Sequence, residues 1–225
     1  MGVLLNLETS STNCSVCIAK DGVILAIKEF NSANFSHAEK LHVFIEEVLL
    51  EASLKIEELD AIAVSKGPGS YTGLRIGVSA AKGLCYALNL PLVSVSTLKS
   101  MAAQLRHVEE NAVIVPVLDA RRMEVYSAVF DIQLNQVRDT KAEIIDENSF
   151  KEYLNSSTVH FLGSGAEKIK EFFNQENIVY HCDIVPSSKE MAIISHEKYK
   201  ERQFEDVAYF EPYYLKDFVL QTKKV

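Results

Sequence analysis

The chain has 225 residues, 48% hydrophobic and 24% charged, with a formal net charge of −8. It is long enough to bury a sizeable core in one large domain or two smaller ones. No apolar run approaches the roughly 18 residues of a membrane span, and without a long basic cluster the acidic chain is a poor partner for nucleic acid, which is bound by counterion release. Any RNA in its biology is expected to be held through a partner.

The opening MGVLLNLETSS has no basic n-region and reads as a first strand, not as a signal peptide. Asn6 stands where a myristoylation motif requires Ser or Thr. A cytoplasmic protein is expected, with Cys14, Cys17, Cys85 and Cys182 as free thiols. Cys14 and Cys17 form a C-x-x-C within the alternating segment NCSVCIA. Residues three apart on a strand point to opposite faces, which disfavours a shared metal or disulfide.

In chain order, strands are predicted at 3–7, 13–19 and 23–30, joined by the turns ETSST and KDG. A helix follows over 36–53, where Leu41, Phe44, Ile45, Val48 and Ala52 recur at helical spacing. Ser36 and Glu39 have the spacing of a capping box. His37 and His42 are five apart, about 140° around a helix, so they cannot share one metal; His37 reads as a solvated helix start.

Next come the strand AIAVS, the turn SKGPGSYTG, a helix over 73–88, the strand LVSV and a helix over 97–106. The turn matches neither G-x-x-x-x-G-K-[ST] nor G-x-G-x-x-G. Pro68 between Gly67 and Gly69 makes it tight, and Ser70 or Thr72 can cap the helix behind it. It is either a plain strand-to-helix connection or an anion site at a helix N-terminus. Within the helix, Gly73, Gly77 and Ala81 recur every fourth residue, with Ala80 and Gly83 beside them. Mid-helix glycines each cost about 1 kcal/mol relative to alanine. Close approach of another backbone would offset that, either from the chain's own core or from a partner. Apolar residues cover more of this helix than one buried face requires.

The second half restarts the plan. VLLNLETSSTNCSVCIA and VIVPVLDARRMEVYSAVF each run strand, acid, polar turn and returning strand, with Glu8 and Asp119 in matching places. A strand near 158–162, a helix in GSGAEKIKEFF and a helix over about 187–201 follow. Two similar α/β lobes are expected, each a mixed sheet with helices in the order β-β-β-α-β-α, at 1–106 and 107–225. The final segment is expected to pack back on the first lobe; FEPYYLKDF is aromatic enough to dock, and QTKKV to fray. Glu8, at the end of the first strand, either caps its own turn or organises a magnesium ion. Asp119, Arg121 and Arg122 read as a local ion-pair cluster.

The segments KGPGSYTGLRIG, SHAEKL, VLDARRMEVY and FLGSGAE together resemble the TsaB family of bacterial tRNA threonylcarbamoyladenosine biosynthesis proteins, across nearly the whole chain. The resemblance implies two actin-like (RNase H-like) lobes and a non-catalytic scaffold that dimerises with the catalytic relative TsaD through N-terminal-lobe helices, works with the small ATPase TsaE, self-associates when alone, and meets tRNA only in the complex. In TsaD an H-x-x-x-H pair binds the catalytic metal; here Thr97 and Met101 occupy those places. The partner interface is assigned to Leu41, Phe44, Ile45, Val48, Gly73, Leu74, Gly77, Ala80, Ala81 and Leu84, with Ala81→Arg expected to abolish association in an intact fold. Glu8, Thr9, Ser10, Gly67, Gly69 and Ser70 form a vestigial nucleotide site. Glu8 in place of the usual aspartate and the short chain argue against ATP turnover while leaving weak ATP or ADP binding open; no other cofactor or metal is expected. The competing reading is an actin-fold ATPase or phosphotransferase.

Overall fold

The computed structural model describes residues 1–32, 36–105 and 108–216. The expected lobe boundary at 106/107, the QTKKV terminus and the last two residues of FEPYYLKDF lie outside them. The first lobe runs β1 (Val3–Glu8), β2 (Asn13–Lys20), β3 (Val23–Asn31), α1 (His37–Glu51), a 3₁₀ turn (Ile56–Glu58), β4 (Ala61–Gly67), α2 (Tyr71–Leu88), β5 (Leu92–Ser96) and α3 (Thr97–Ala102). The second runs β6 (Val113–Asp119), β7 (Glu124–Phe130), β8 (Gln136–Ile144), α4 (Lys151–Leu154), β9 (Val159–Leu162), α5 (Ala166–Lys170), β10 (Ile178–His181) and α6 (Ser188–Lys200).

Each lobe has a five-stranded sheet, ordered β3-β2-β1-β4-β5 and β10-β9-β6-β7-β8. β1–β3 pair antiparallel while β4 and β5 add parallel; β6–β8, β9 and β10 repeat the pattern. The internal repeat is therefore a repeat of topology. Glu8 and Asp119 are the last residues of equivalent first strands, and the glycine turns after β4 and β9 correspond. Gly67 and Gly163 share φ of 106° and 105°, a region that disfavours any side chain.

The first sheet is covered on both faces. Leu5, Leu7, Val16, Ile62 and Val64 bury against α1 and α2. Leu4, Ala61, Ala63, Val93 and Val95 bury against Met191 and Ile194 of α6. The last helix thus leaves the second sheet to close the first lobe. Polar contacts fix it there: Ser195 Oγ donates to Asn6 Oδ1 at 2.6 Å, and Lys198 Nζ to the Ser94 carbonyl at 2.7 Å. Leu98, Met101 and Ala102 of α3 pack with Ile114, Leu118, Phe130 and Leu162, so the lobes share one apolar seam.

Three local expectations are corrected. Ser36 makes no side-chain cap bond, because its backbone (φ −117°, ψ 16°) lies outside the usual N-cap conformation; its carbonyl alone takes the Glu39 and Lys40 amides. His37 is 2% exposed, not solvated, and its Nε2 donates to the Ser11 carbonyl at 2.7 Å. The helix expected over 97–106 ends at Ala102. Cys14 and Cys17 do face opposite layers, one toward α1 and the other toward α6.

Candidate partner-binding site

The glycine turn feeds α2, and Ser70 caps it by accepting the Gly73 amide at 3.2 Å, an interaction worth about 1 kcal/mol. What approaches the small-residue stripe is the chain's own β1–β2 turn. A Cβ on Gly73 or Gly77 would fall within 3.0 Å of Thr9, and one on Gly69 within 3.0 Å of Ser10. Thr9 Oγ1 donates to the Gly73 carbonyl at 2.8 Å, and the Ser70 amide to the Ser10 carbonyl at 2.7 Å. The Gly67–Pro68 peptide bond is cis. Of the two open readings, this stripe follows the internal one.

The assigned nucleotide residues do not fit a phosphate or magnesium. Glu8, Thr9 and Ser10 are 0–2% exposed, and Ser10 sits against the α2 N-terminus where a phosphate would have to lie. Glu8 Oε1 accepts the Ser10 amide at 2.6 Å and the Ser65 hydroxyl at 2.9 Å, while Oε2 has no hydrogen-bond partner among the described residues. Burial raises its pKa above the usual 4.5, against the pull of its hydrogen bonds. The folded state therefore retains a proton that the unfolded chain loses above that value. Native stability contributed by Glu8 falls as pH rises from about 4.5 toward the raised folded value. Glu8→Gln keeps the acceptor without the ionisation. It is expected to match the wild type near pH 4 in thermal melts and to exceed it progressively toward pH 8; a constant difference across that range would contradict the assignment.

The assigned interface also divides. Leu41, Phe44, Ile45 and Val48 are buried in the first core, where α1 packs on β2 and β3, and Leu74, Gly73, Gly77 and Ala81 face inward from α2. Burial removes these eight from any surface contact in this fold. Ala81, 0% exposed, cannot accept arginine without disrupting the core, so that substitution does not test association. Ala80 and Leu84 are only partly buried, at the edge of the first core. With Ile76 and Gly83 of α2 and Ala38 and His42 of α1 they line an open groove of about 750 Å³. A Cβ built on Gly83 meets nothing within 4 Å. Ile76, Ala80 and Leu84 follow i, i+4 spacing, so α2 carries a second apolar stripe besides its buried one.

The described part of the aromatic tail docks beside this groove. Tyr214 packs on Tyr71 with ring centroids 5.0 Å apart, and its hydroxyl accepts from Arg75 Nε at 3.3 Å. Lys82 Nζ donates to the Ala208 and Phe210 carbonyls at 3.1 and 2.9 Å. The Tyr213 amide donates to the Lys66 carbonyl at 2.7 Å, and Lys216 pairs with Glu124 of the second lobe. The tail links the outer face of α2 to both lobes. Met101 is 0% exposed, with its methyl group against Gly163, and Thr97 is equally buried.

A solved structure from Pseudomonas aeruginosa, of an uncharacterized protein with similarity to peptidase YEAZ, has the same fold. Its TM-score is 0.85 at 22% identity, over 96% of this chain and 100% of that one. The family model described as TsaD, tRNA N6-adenosine threonylcarbamoyltransferase, matches residues 31–224. The TsaB tRNA threonylcarbamoyladenosine biosynthesis protein of Escherichia coli is 27% identical over 98% of this chain and 97% of its own. The chain belongs to this family, in its TsaB branch. A tRNA N6-adenosine threonylcarbamoyltransferase of Bacillus thuringiensis is 36% identical to it over 41% of this chain and 32% of its own.

Ile76 and Gly83 line the groove but lie outside the interface assigned from sequence; the signal for them is the surplus of apolar residues around α2.

Proposed function

We propose that the chain is a non-catalytic subunit of the machinery that forms N6-threonylcarbamoyladenosine in tRNA. It acts by docking the outer groove of α1 and α2 against the equivalent helices of a TsaD-like enzyme. The observation that carries the reading is the open groove lined by Ile76, Ala80, Gly83 and Leu84, whose apolar side chains are only partly buried against the first core and which is open at Gly83. Two related lobes presenting related helix faces can pack about a pseudo-twofold axis, and a second copy of this chain uses the same face when the enzyme is absent. Buried Thr97 and Met101, in the places of the metal-binding histidines, support a subunit that leaves the chemistry to its partner. The filled β1–β2 turn supports working without nucleotide bound there. In this reading a TsaE-like ATPase and tRNA join only the assembled complex, in the cytoplasm.

Hydrogen exchange tests the interface. On mixing with the TsaD-like enzyme, amides of α1 and α2 are expected to gain protection, while those of β8 do not. Unchanged exchange at both helices would exclude this docking face.

A further inference from the structure

We propose that the turn between β6 and β7 is a contact for the phosphodiester backbone of RNA, used once the complex described above has assembled; the inference rests on that assembly.

The turn presents two arginines in an unusual backbone. Arg121 and Arg122 have φ of 72° and 52°, a left-handed region that residues other than Gly, Asn and Asp seldom adopt. It is held from beneath. Asp119 Oδ1 accepts the Arg121 amide at 2.6 Å and Lys168 Nζ at 2.6 Å, and Lys168 also donates to the Arg122 carbonyl. Ser164 Oγ takes the Asp119 amide at 3.1 Å. The acid expected to pair with the arginines is thus occupied by Lys168, and Glu124 is occupied by Lys216.

Both arginine side chains are exposed, and neither guanidinium has a hydrogen bond or ion pair among the described residues. Two exposed cations without a side-chain partner among the described residues therefore stand at this turn, on a chain whose net charge is −8. The overall field repels polyanions, so any basic contact must be local. Guanidinium forks match phosphate oxygens. A protein partner is less suited to this tip, since interface cores are poor in charge and built on apolar anchors. Met123, 38% exposed, is the large apolar side chain there, and the apolar groove lies elsewhere. Two cations are too few to bind RNA alone, which fits an auxiliary contact within a complex.

The test is binding of unmodified tRNA to the complex of this chain with its TsaD-like partner, over a salt series. Arg121→Gln with Arg122→Gln is expected to weaken binding several-fold and to lower the slope of log K against log salt by about one to two. Arg121→Lys with Arg122→Lys should keep the slope. Arg121→Asn with Arg122→Gly suits the left-handed backbone; it should raise the melting temperature yet lose the same RNA affinity, which separates charge from folding. Unchanged RNA affinity in a normally assembled double-Gln complex overturns the proposal and leaves the docking reading intact. Failure of the double-Gln variant to assemble would make the tip a protein contact and overturn it equally. If the wild-type chain does not assemble, the docking reading fails and this proposal falls with it.

Discussion

Gly83→Arg is expected to weaken association with the TsaD-like partner by roughly a hundredfold or more, the equivalent of about 3 kcal/mol, which is the scale of burying an unpaired charge. The isolated chain should fold normally, because Gly83 is exposed and a Cβ there meets nothing within 4 Å beyond its own stretch of helix. Gly83→Ala makes the control: it removes a mid-helix glycine, and should stabilise the free chain by about 1 kcal/mol. Calorimetric titration of both variants, with thermal melts, separates the two effects. Wild-type affinity in a folded Gly83→Arg chain would remove the groove from the interface.

Gly73→Ala should do the reverse and damage the fold. Its Cβ would fall within 3.0 Å of the Thr9 carbonyl oxygen, and that turn is anchored by the Thr9 hydroxyl and the Ser10 carbonyl on the same helix. Overpacking of this kind costs about 3 kcal/mol, against about 1 kcal/mol gained in helix propensity. The net loss of about 2 kcal/mol should lower the melting temperature by roughly 5 °C in a chain of this size. A melting temperature equal to or above wild type would contradict the close approach of α2 to the β1–β2 turn. Opposite signs for alanine at Gly73 and at Gly83 would show that one helix uses glycine in two unrelated ways.

That distinction was beyond the sequence. Spacing of Gly73, Gly77 and Ala81 showed that a backbone comes close, but a periodicity cannot name which backbone. The answer, Thr9, is 64 residues from Gly73 along the chain. Leu41, Phe44, Ile45 and Val48 formed an ordinary inward stripe, and with only one apolar face on α1 they had to serve the core before any partner. The repeat was readable because matching positions carry matching chemistry: an apolar strand ending in an acid, a short polar turn and a returning strand. The repeat implies a third strand in the second lobe without placing it, because β8 is largely polar and exposed; β10, with four residues, gives no signal. The return of α6 to the first sheet leaves no local signal, since Ser195 and Asn6, which it joins, are 189 residues apart. The DARRMEVY segment is distinctive in sequence, but the expected pairing of Asp119 with the arginines does not form: Lys168, from a different element, takes the acid and the arginines stay exposed.

The most direct measurement is threonylcarbamoyl incorporation into unmodified tRNA by the cognate TsaD-like and TsaE-like proteins, supplied with threonylcarbamoyl-AMP, with and without this chain. Modification that depends on the chain, while the chain alone transfers nothing, is the predicted result. Equal modification in its absence would contradict the account of a required, non-catalytic partner.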